Sequence, residues 1–188
     1  MHYFLADLVA DIVQNGAESG ADLLEIFVSE SPDSFSFTVR DNGKGMTAEE
    51  LLKARDPFAS DGVKHPHREV GLGIPFLIQT AESTGGKWNM ESQSSEGPAG
   101  LGASGTELTA WFDLNNVDTP PVGDIPGLFR TALLFQGPGE VLIKRLRETE
   151  GLDLDYELRK TELAAALGDL EDARSLALMD RYLCSLED

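Results

Sequence analysis

The feature that most constrains the fold of this chain is a strand that runs directly into a glycine-punctuated loop. Residues 34–40 (SFSFTVR) alternate apolar and polar side chains, which is the period of a half-buried β-strand. The loop at 41–46 (DNGKGM) follows at once, and its two glycines permit positive φ and a close approach of the backbone. Because Asp-Asn-Gly is also common in ordinary turns, the loop alone does not indicate a functional site, and the motifs around it have to be considered.

Three further motifs surround this loop. Residues 3–18 carry apolar side chains at helical spacing, which predicts a helix, and Asp11 and Asn15 stand one turn apart on another face of it. Residues 68–78 (REVGLGIPFLI) predict a loop that enters a helix. Residues 105–112 (GTELTAWF) predict a strand that opens with Gly-Thr.

The other elements of the first 115 residues follow from period and turn signals. Residues 23–29 and 87–92 predict two more strands. Thr47 begins a helix, because Glu50 stands three residues later and completes a capping box. The stretch from about residue 55 to residue 70 has no periodicity and predicts a loop or lid.

A change of composition marks a boundary in the second half of the chain. Residues 116–127 are rich in proline and glycine and predict a linker between a domain at 1–115 and a C-terminal extension at 128–188. In the extension we expect a short helix, a β-hairpin and a single last helix over residues 160–187. The hairpin could extend the sheet, and the last helix could pack on the domain or on a second copy; the sequence does not choose.

The charge balance restricts the partners of this protein. Lys and Arg number 15 against 33 Asp and Glu, so the net charge is −18. Such a field repels nucleic acid and anionic membrane surfaces, and neither is an expected partner.

Cysteine usage and hydropathy indicate the compartment. Cys184 is the only cysteine, which excludes an intrachain disulfide and suits a reducing cytoplasm. No apolar run approaches the roughly 18 residues that cross a bilayer, and the first residues lack the basic region and cleavage site of a signal peptide. A cytoplasmic location is therefore expected.

The four motifs, in this order, resemble the GHKL superfamily of ATPases, which joins gyrases, chaperones, histidine kinases and MutL proteins. The resemblance covers roughly residues 4–114; its first half looks most like MutL proteins and its second half more like the ATP-binding domain of histidine kinases. It implies an α+β fold of the Bergerat type, a two-layer α/β sandwich whose mixed, mainly antiparallel sheet has helices on one face. It also implies ATP or ADP as ligand, together with Mg²⁺. The small α+β extension predicted at 128–188 follows the Bergerat-type domain and is not covered by the resemblance.

The resemblance assigns chemical roles to three side chains. In the family an Asn on the first helix is the Mg²⁺ ligand, which maps to Asn15, and an amide oxygen suits a cation that prefers oxygen. The family acid one turn earlier is a Glu that activates the attacking water; here it is Asp11, one methylene shorter, which implies slow hydrolysis. The Asp of the glycine loop pairs with the adenine amino group, which maps to Asp41.

Backbone and loop residues complete the implied nucleotide site. Glycines in both loops allow phosphate or base to approach the backbone, Met46 would lie against the base, and Thr106 matches a Thr that bonds near the adenine, often through water. The residues that the resemblance places on the nucleotide are Asn15, Asp41, Gly43, Gly45, Met46, Lys64, Arg68, Gly71, Leu72, Gly73 and Thr106.

The loop before the second glycine pair leaves alternatives open. Lys64, His65, His67 and Arg68 form the most basic cluster of an acidic chain, and they either meet the phosphates or decorate a solvated loop. Lys64 and Arg68 are the stronger phosphate candidates. Phe58 is either the counterpart of a lid phenylalanine in the kinases or a core anchor.

Three classes of function remain open: a slow ATPase switch, a protein kinase of the anti-sigma type that phosphorylates a partner, and a nucleotide-binding module without turnover. The predicted Asn helix begins almost at Met1, which leaves no room before it for a dimerising hairpin with an acceptor His, so self-phosphorylation is not expected. A role in DNA repair is disfavoured by the length and the charge. We favour an ATP-binding regulator with slow or partner-dependent turnover, whose extension contacts a protein partner or a second copy of the chain.

Overall fold

The structure is a computed structural model that describes residues 4–56, 72–95, 104–148 and 153–188. Within them a regular succession of helices and strands is found. In chain order these are α1 (Leu5–Glu18), β1 (Leu23–Glu30), β2 (Ser34–Asp41), α2 (Ala48–Arg55), α3 (Gly73–Ser83), β3 (Lys87–Gln93), β4 (Gly105–Asp113), α4 (Ile125–Leu134), β5 (Glu140–Arg147), β6 (Leu154–Arg159), α5 (Lys160–Leu167) and α6 (Ala173–Glu187).

The strands form one mixed sheet in the order β3-β4-β2-β1-β5-β6. Among the strand pairs of the described residues, β1 and β5 run parallel and the other neighbours run antiparallel. The α+β fold with a mixed, mainly antiparallel sheet, predicted from the sequence, is thereby confirmed.

Burial alternates along the central strands, so one face of the sheet packs against helices and the other meets solvent. In β2, Phe35, Phe37 and Val39 are buried, whereas the residues between them are partly or fully exposed. The predicted apolar stripe of α1 lies in the same core, except that Phe4 precedes the helix and is exposed. The buried members of that stripe are Leu5, Leu8, Val9, Ile12 and Val13.

The predicted start of α2 is confirmed in its hydrogen bonds. The Thr47 hydroxyl accepts from the Glu50 backbone N–H at 3.3 Å, and the Glu50 carboxylate accepts from the Thr47 backbone N–H at 2.8 Å. These two bonds satisfy amides that a helix start otherwise leaves unpaired.

The C-terminal hairpin extends the sheet that β1 to β4 form. β5 pairs with β1 from Leu23↔Glu140 to Glu30↔Arg147, and β6 pairs with β5. α4 packs against α1 and α6. The preceding segment also contacts α1, because the carbonyls of Pro121 and Val122 accept from the first amides of the helix. The division into 1–115, 116–127 and 128–188 stays a prediction.

The single last helix predicted over residues 160–187 is wrong, because two helices occupy this range. α5 ends at Leu167, and Gly168 then adopts φ +85°, a conformation that breaks the helix and that glycine tolerates. Asp172 begins α6 by accepting from the Arg174 backbone N–H at 3.0 Å. Glycine followed by a capping Asp is a stop-and-start signal, which the leucine spacing obscured.

A further property concerns membranes. In the part of the chain that the structure describes, no helix has both the length and the apolar character that crossing a bilayer requires.

Candidate functional site

The helix-facing side of three strands changes from apolar to polar at one end of the sheet. The register pairs Asp41 of β2 with Thr106 of β4, and Thr106 with Ser92 of β3. Directly opposed residues of antiparallel strands share a face, so these three side chains form one polar row. The preceding row is wholly buried and apolar, and it consists of Val39, Leu108 and Met90.

Asp41 is the buried acid of this row, with 8% of its surface exposed. Its carboxylate accepts from the Gly43 backbone N–H at 2.9 Å, from the Ser19 hydroxyl at 3.0 Å and from the Thr106 backbone N–H. Burial raises the pKa of Asp41 above its ordinary value, and these three hydrogen bonds oppose that rise. A buried carboxyl whose described partners are all neutral is typical of a functional site.

The loop after β2 is held tightly against β3. Gly45 has φ +62°, and a Cβ there would lie 1.8 Å from the carbonyl oxygen of Gln93, so only glycine fits. The Met46 backbone N–H donates to the Ser92 hydroxyl at 2.8 Å, and the Lys44 carbonyl accepts from the Ser95 backbone N–H at 2.8 Å. Predicted site residues of the loop are thereby placed beside the polar row.

The C-terminal end of α1 reaches the same acid. A Cβ on Gly16 would lie 2.7 Å from Leu24 and 3.6 Å from the Cβ of Asp41, so the helix backbone passes close to the carboxyl. The Ser19 hydroxyl is also within 2.7 Å of the Gly16 carbonyl, so its single proton is shared between that oxygen and the Asp41 carboxylate. The Ser19 carbonyl accepts from the Lys44 backbone N–H at 3.2 Å. Ser19 therefore joins α1 to both Asp41 and its loop.

The sequence analysis missed two residues of this site, and each had a signal. Ser19 continues the four-residue spacing of Asp11 and Asn15 on α1, so the same face could have been followed one turn further. Ser92 occupies the inward position of β3 that follows Met90, where the strand alternation leads one to expect another apolar residue.

The middle of α1 meets the start of α3. A Cβ on Gly73 would lie 2.6 Å from the Cβ of Asp11 and 2.8 Å from its Oδ2, so the two helices touch at this acid. Leu72 precedes α3 and is 46% exposed, and no side chain of the described residues caps the helix. The first amides of an uncapped helix are suited to bind an anion.

Asn15 lies on α1 between the two ends of the site. Its side chain is half-buried and makes no hydrogen bond to any residue that the structure describes. Its amide oxygen fits a hard divalent cation such as Mg²⁺, which prefers oxygen ligands. From Asp11 to Ser19 the helix rises about 12 Å, so the site is elongated, with an acceptor-rich end at Asp41 and a helix start at Gly73.

Three predicted site residues lie outside the described residues, namely Lys64, Arg68 and Gly71. The alternatives for Phe58, His65 and His67 fall there as well. Among the described ranges, no group of three or more His, Cys, Asp or Glu side chains could hold a metal ion.

The sequence matches a model of one protein family. The model is described as histidine kinase-, DNA gyrase B- and HSP90-like ATPase, and it matches residues 2–116. No curated protein matches the chain.

Several solved structures are similar to this chain. The N-terminal domain of a DNA repair protein is 13% identical, with a TM-score of 0.51, and the match covers 89% of this chain and 57% of that one. The Aquifex aeolicus MutL ATPase domain complexed with ADP is 19% identical, with 82% and 64% covered and a TM-score of 0.48. The mycobacterial sensor histidine kinase MprB is 18% identical, with 56% and 69% covered and a TM-score of 0.40.

These likenesses concern the fold. The chain spans less than two thirds of the length of the DNA repair and MutL structures. The 89% coverage by the DNA repair domain is more than residues 2–116 can supply, so this likeness includes part of the C-terminal region.

Proposed function

Because the chain belongs to the histidine kinase-, DNA gyrase B- and HSP90-like ATPase family, which implies ATP binding, we propose that it is a regulatory protein that binds ATP with Mg²⁺ and hydrolyses it slowly or only with a partner. The observation that carries this proposal is the buried carboxyl of Asp41, whose described partners are neutral donors. An acceptor of this kind matches a base that presents an amino group.

The adenine would bind at the polar row. Asp41 accepts from the 6-amino group, Thr106 contributes its hydroxyl beside it, and Met46 lies against the base. Gly43 and Gly45 keep the loop close to the strands, so at these two positions no side chain stands between the base and the backbone.

The phosphates would bind at the other end of α1. The amides of Leu72 and Gly73, at the start of α3, donate to phosphate oxygens. Gly71, Lys64 and Arg68 are the further phosphate contacts that the family resemblance implies, and the two basic side chains add positive charge. The net charge of −18 opposes the approach of a polyphosphate, so these donors have to be local. The Asn15 amide oxygen would hold Mg²⁺ together with the phosphates, and the ion would neutralise part of the phosphate charge.

Asp11 is the base in this proposal. Its carboxylate, which lies against Gly73, accepts a proton from a water whose oxygen bonds to the γ-phosphorus. The bond from that phosphorus to the β–γ bridging oxygen breaks, and ADP and phosphate result. Because Asp is one methylene shorter than Glu, its oxygens reach less far toward the water, which accounts for slow or partner-dependent turnover.

A partner would act through the C-terminal region. β5 pairs with β1, and α4 packs against α1, the helix that carries Asp11 and Asn15. A protein that binds this region therefore contacts elements that support the nucleotide site. A second copy of the chain is the alternative occupant.

The test combines nucleotide binding with phosphate release in the same samples. We expect ATP and ADP to bind with Mg²⁺ in calorimetry, and Asp11→Asn to abolish basal phosphate release while it spares binding. The matched control is Asp7→Asn, the same change one turn earlier on α1, where the carboxylate accepts from the Phe4 backbone N–H at 3.3 Å. Release that is unchanged in Asp11→Asn removes this residue from the mechanism, and absence of nucleotide binding by the wild type overturns the proposal.

A further inference from the structure

Ser92 stands at the centre of a hydrogen-bond cluster beside the proposed base site. Its Oγ lies 2.8 Å from the backbone nitrogen of Met46, 3.1 Å from the carbonyl oxygen of Gly105 and 2.8 Å from Oγ1 of Thr106. A serine hydroxyl has one proton to donate and two lone pairs with which to accept. Three partners therefore use the full capacity of this group.

The chemistry of the partners determines the direction of each bond. The Met46 backbone N–H can only donate, so Ser92 accepts from it. The Gly105 carbonyl can only accept, so Ser92 gives it its single proton. For the third bond to form, Thr106 must donate its own hydroxyl proton to Ser92.

This direction limits what Thr106 can offer to a ligand. Because its hydroxyl proton is committed to Ser92, its Oγ1 presents lone pairs only. The neighbouring member of the row, Asp41, is also an acceptor when it is ionised. The Asp41–Thr106 pair therefore presents acceptors and no side-chain donor.

We propose that Ser92 is a specificity-determining residue that fixes Thr106 as a hydrogen-bond acceptor, so that the site selects a purine with a 6-amino group and rejects one with a 6-oxo group. The inference rests on the proposed function, in which the base of ATP binds at this row. A 6-oxo purine places its carbonyl opposite two acceptors and leaves buried polar atoms unpaired, which is the arrangement that discriminates most strongly between ligands.

The experiment compares the dissociation constants of ATP and inosine triphosphate, with Mg²⁺, in calorimetry. Inosine triphosphate carries the 6-oxo group in place of the 6-amino group. We expect the wild type to prefer ATP by about tenfold or more. In Ser92→Ala the Thr106 hydroxyl regains its proton as a free donor, and the ratio of the two constants narrows by about threefold or more, with tighter binding of inosine triphosphate.

The matched control is Thr109→Val, three residues after Thr106 on β4. It removes the hydroxyl of a cross-strand pair, 3.0 Å from that of Thr38, on the opposite face of the same strands. The control therefore also loses a hydroxyl from a strand of the sheet, but not one in the polar row. We expect its preference for ATP over inosine triphosphate to stay at the wild-type value.

The outcomes separate this inference from the proposed function. If the wild type binds neither nucleotide, the proposed function fails and the inference with it. If the wild type prefers ATP and Ser92→Ala keeps the same ratio, whether or not both affinities fall, Ser92 has only a structural role and the inference is overturned. If Ser92→Ala does not fold, Ser92→Cys decides, because it keeps the volume of the side chain but supplies only a weak hydrogen-bond acceptor: a narrowed ratio supports the inference, and an unchanged ratio refutes it.

Discussion

Two buried charged side chains of this sheet, Asp41 and Arg145, are held in opposite ways. Asp41 is 8% exposed, and its described partners are neutral donors. Arg145 is 1% exposed and meets two carboxylates, those of Glu30 and Glu187. Among the described residues the first charge has no counter-ion, which suits a ligand site. The second has its counter-ions within the fold and is suited to hold the fold together.

The Arg145 cluster joins the C-terminus of the described chain to the sheet. Glu187, at the end of α6, accepts from Arg145 Nε at 3.0 Å and from the Tyr156 hydroxyl at 2.7 Å. Burial by itself lowers the pKa of Arg145, but the hydrogen bonds and charges of Glu187 and Glu30 more than offset it, so the pKa is raised. The pKa of Tyr156 is raised as well, by burial first and then by the hydrogen bond and the negative charge of Glu187. The cluster therefore stays charged on Arg145 and neutral on Tyr156.

The largest expected effect is the loss of stability in Arg145→Met. The change leaves Glu30 without its buried cation and leaves Glu187 with the more exposed Arg147, at 3.2 Å. It lowers the free energy of unfolding by about 3–5 kcal/mol in chemical denaturation. The matched control is Arg40→Met, which removes an exposed pair with Glu25 at 3.9 Å and costs less than about 1 kcal/mol. If the two variants lose the same free energy of unfolding, the buried ion pairs of Arg145 do not stabilise the fold more than an exposed pair does.

The second prediction is that Asp41→Asn weakens ATP binding but hardly changes stability. Asn keeps an oxygen that accepts from Gly43 and no longer buries a charge, so the free energy of unfolding at neutral pH stays within about 1 kcal/mol of the wild type. The dissociation constant for ATP, however, rises by about tenfold or more, because a charged acceptor for the adenine amino group is lost. Denaturation and calorimetry on the same variant measure both quantities. A variant that binds ATP as the wild type does would show that the adenine lies elsewhere.

The two residues also differ in what the sequence could predict. Asp41 was predicted as a site residue through the family resemblance, and the strand and the glycine loop that carry this part of the resemblance are contiguous in the chain. The alternation Val141, Ile143, Arg145 places a cation on the core face of β5, so its burial was predictable from period alone. Its partners were not, because Glu30 lies 115 residues away and Glu187 lies 42 away, and only the fold brings them together.

The same reason explains which parts of the candidate site escaped the sequence. The strands, most of the helices and the capping box of Thr47 follow from local period and local caps, and the sequence placed them correctly. The exception is the range 160–187, where two helices stand in place of the predicted one. Ser92 acquires its role only through the register of β3 on β4, which pairs it with Thr106. Period-2 alternation predicts which face a side chain takes, but it does not predict which residue of another strand stands opposite.

The smallest effect is predicted for Ser19→Ala, which changes how Asp41 titrates. The Ser19 hydroxyl bond lowers the pKa of Asp41 against the larger effect of burial, so its removal raises that pKa further above the ordinary 3.8. Because the folded-state pKa of Asp41 is raised, its protonated form stabilises the fold at low pH, and this stability is lost as the pH rises through that pKa. The form that binds adenine is the ionised one, which requires a pH above the same pKa. As the pH falls, ATP binding by Ser19→Ala should therefore be lost at a higher pH than in the wild type, and at neutral pH it weakens by about fivefold or less.

The measurement is the dissociation constant of ATP as a function of pH, with Ser36→Ala on the solvent face of β2 as control. The control should keep the wild-type profile, because Ser36 lies on the other side of the sheet from Asp41. A Ser19→Ala profile that falls in affinity equally at every pH would mean that Ser19 only supports the loop. A profile displaced toward higher pH means that the Ser19 hydroxyl helps to keep Asp41 ionised. The charge of Asp41 is then stabilised by neutral donors and stays available to a ligand, whereas the charge of Arg145 is stabilised by Glu30 and Glu187 within the fold.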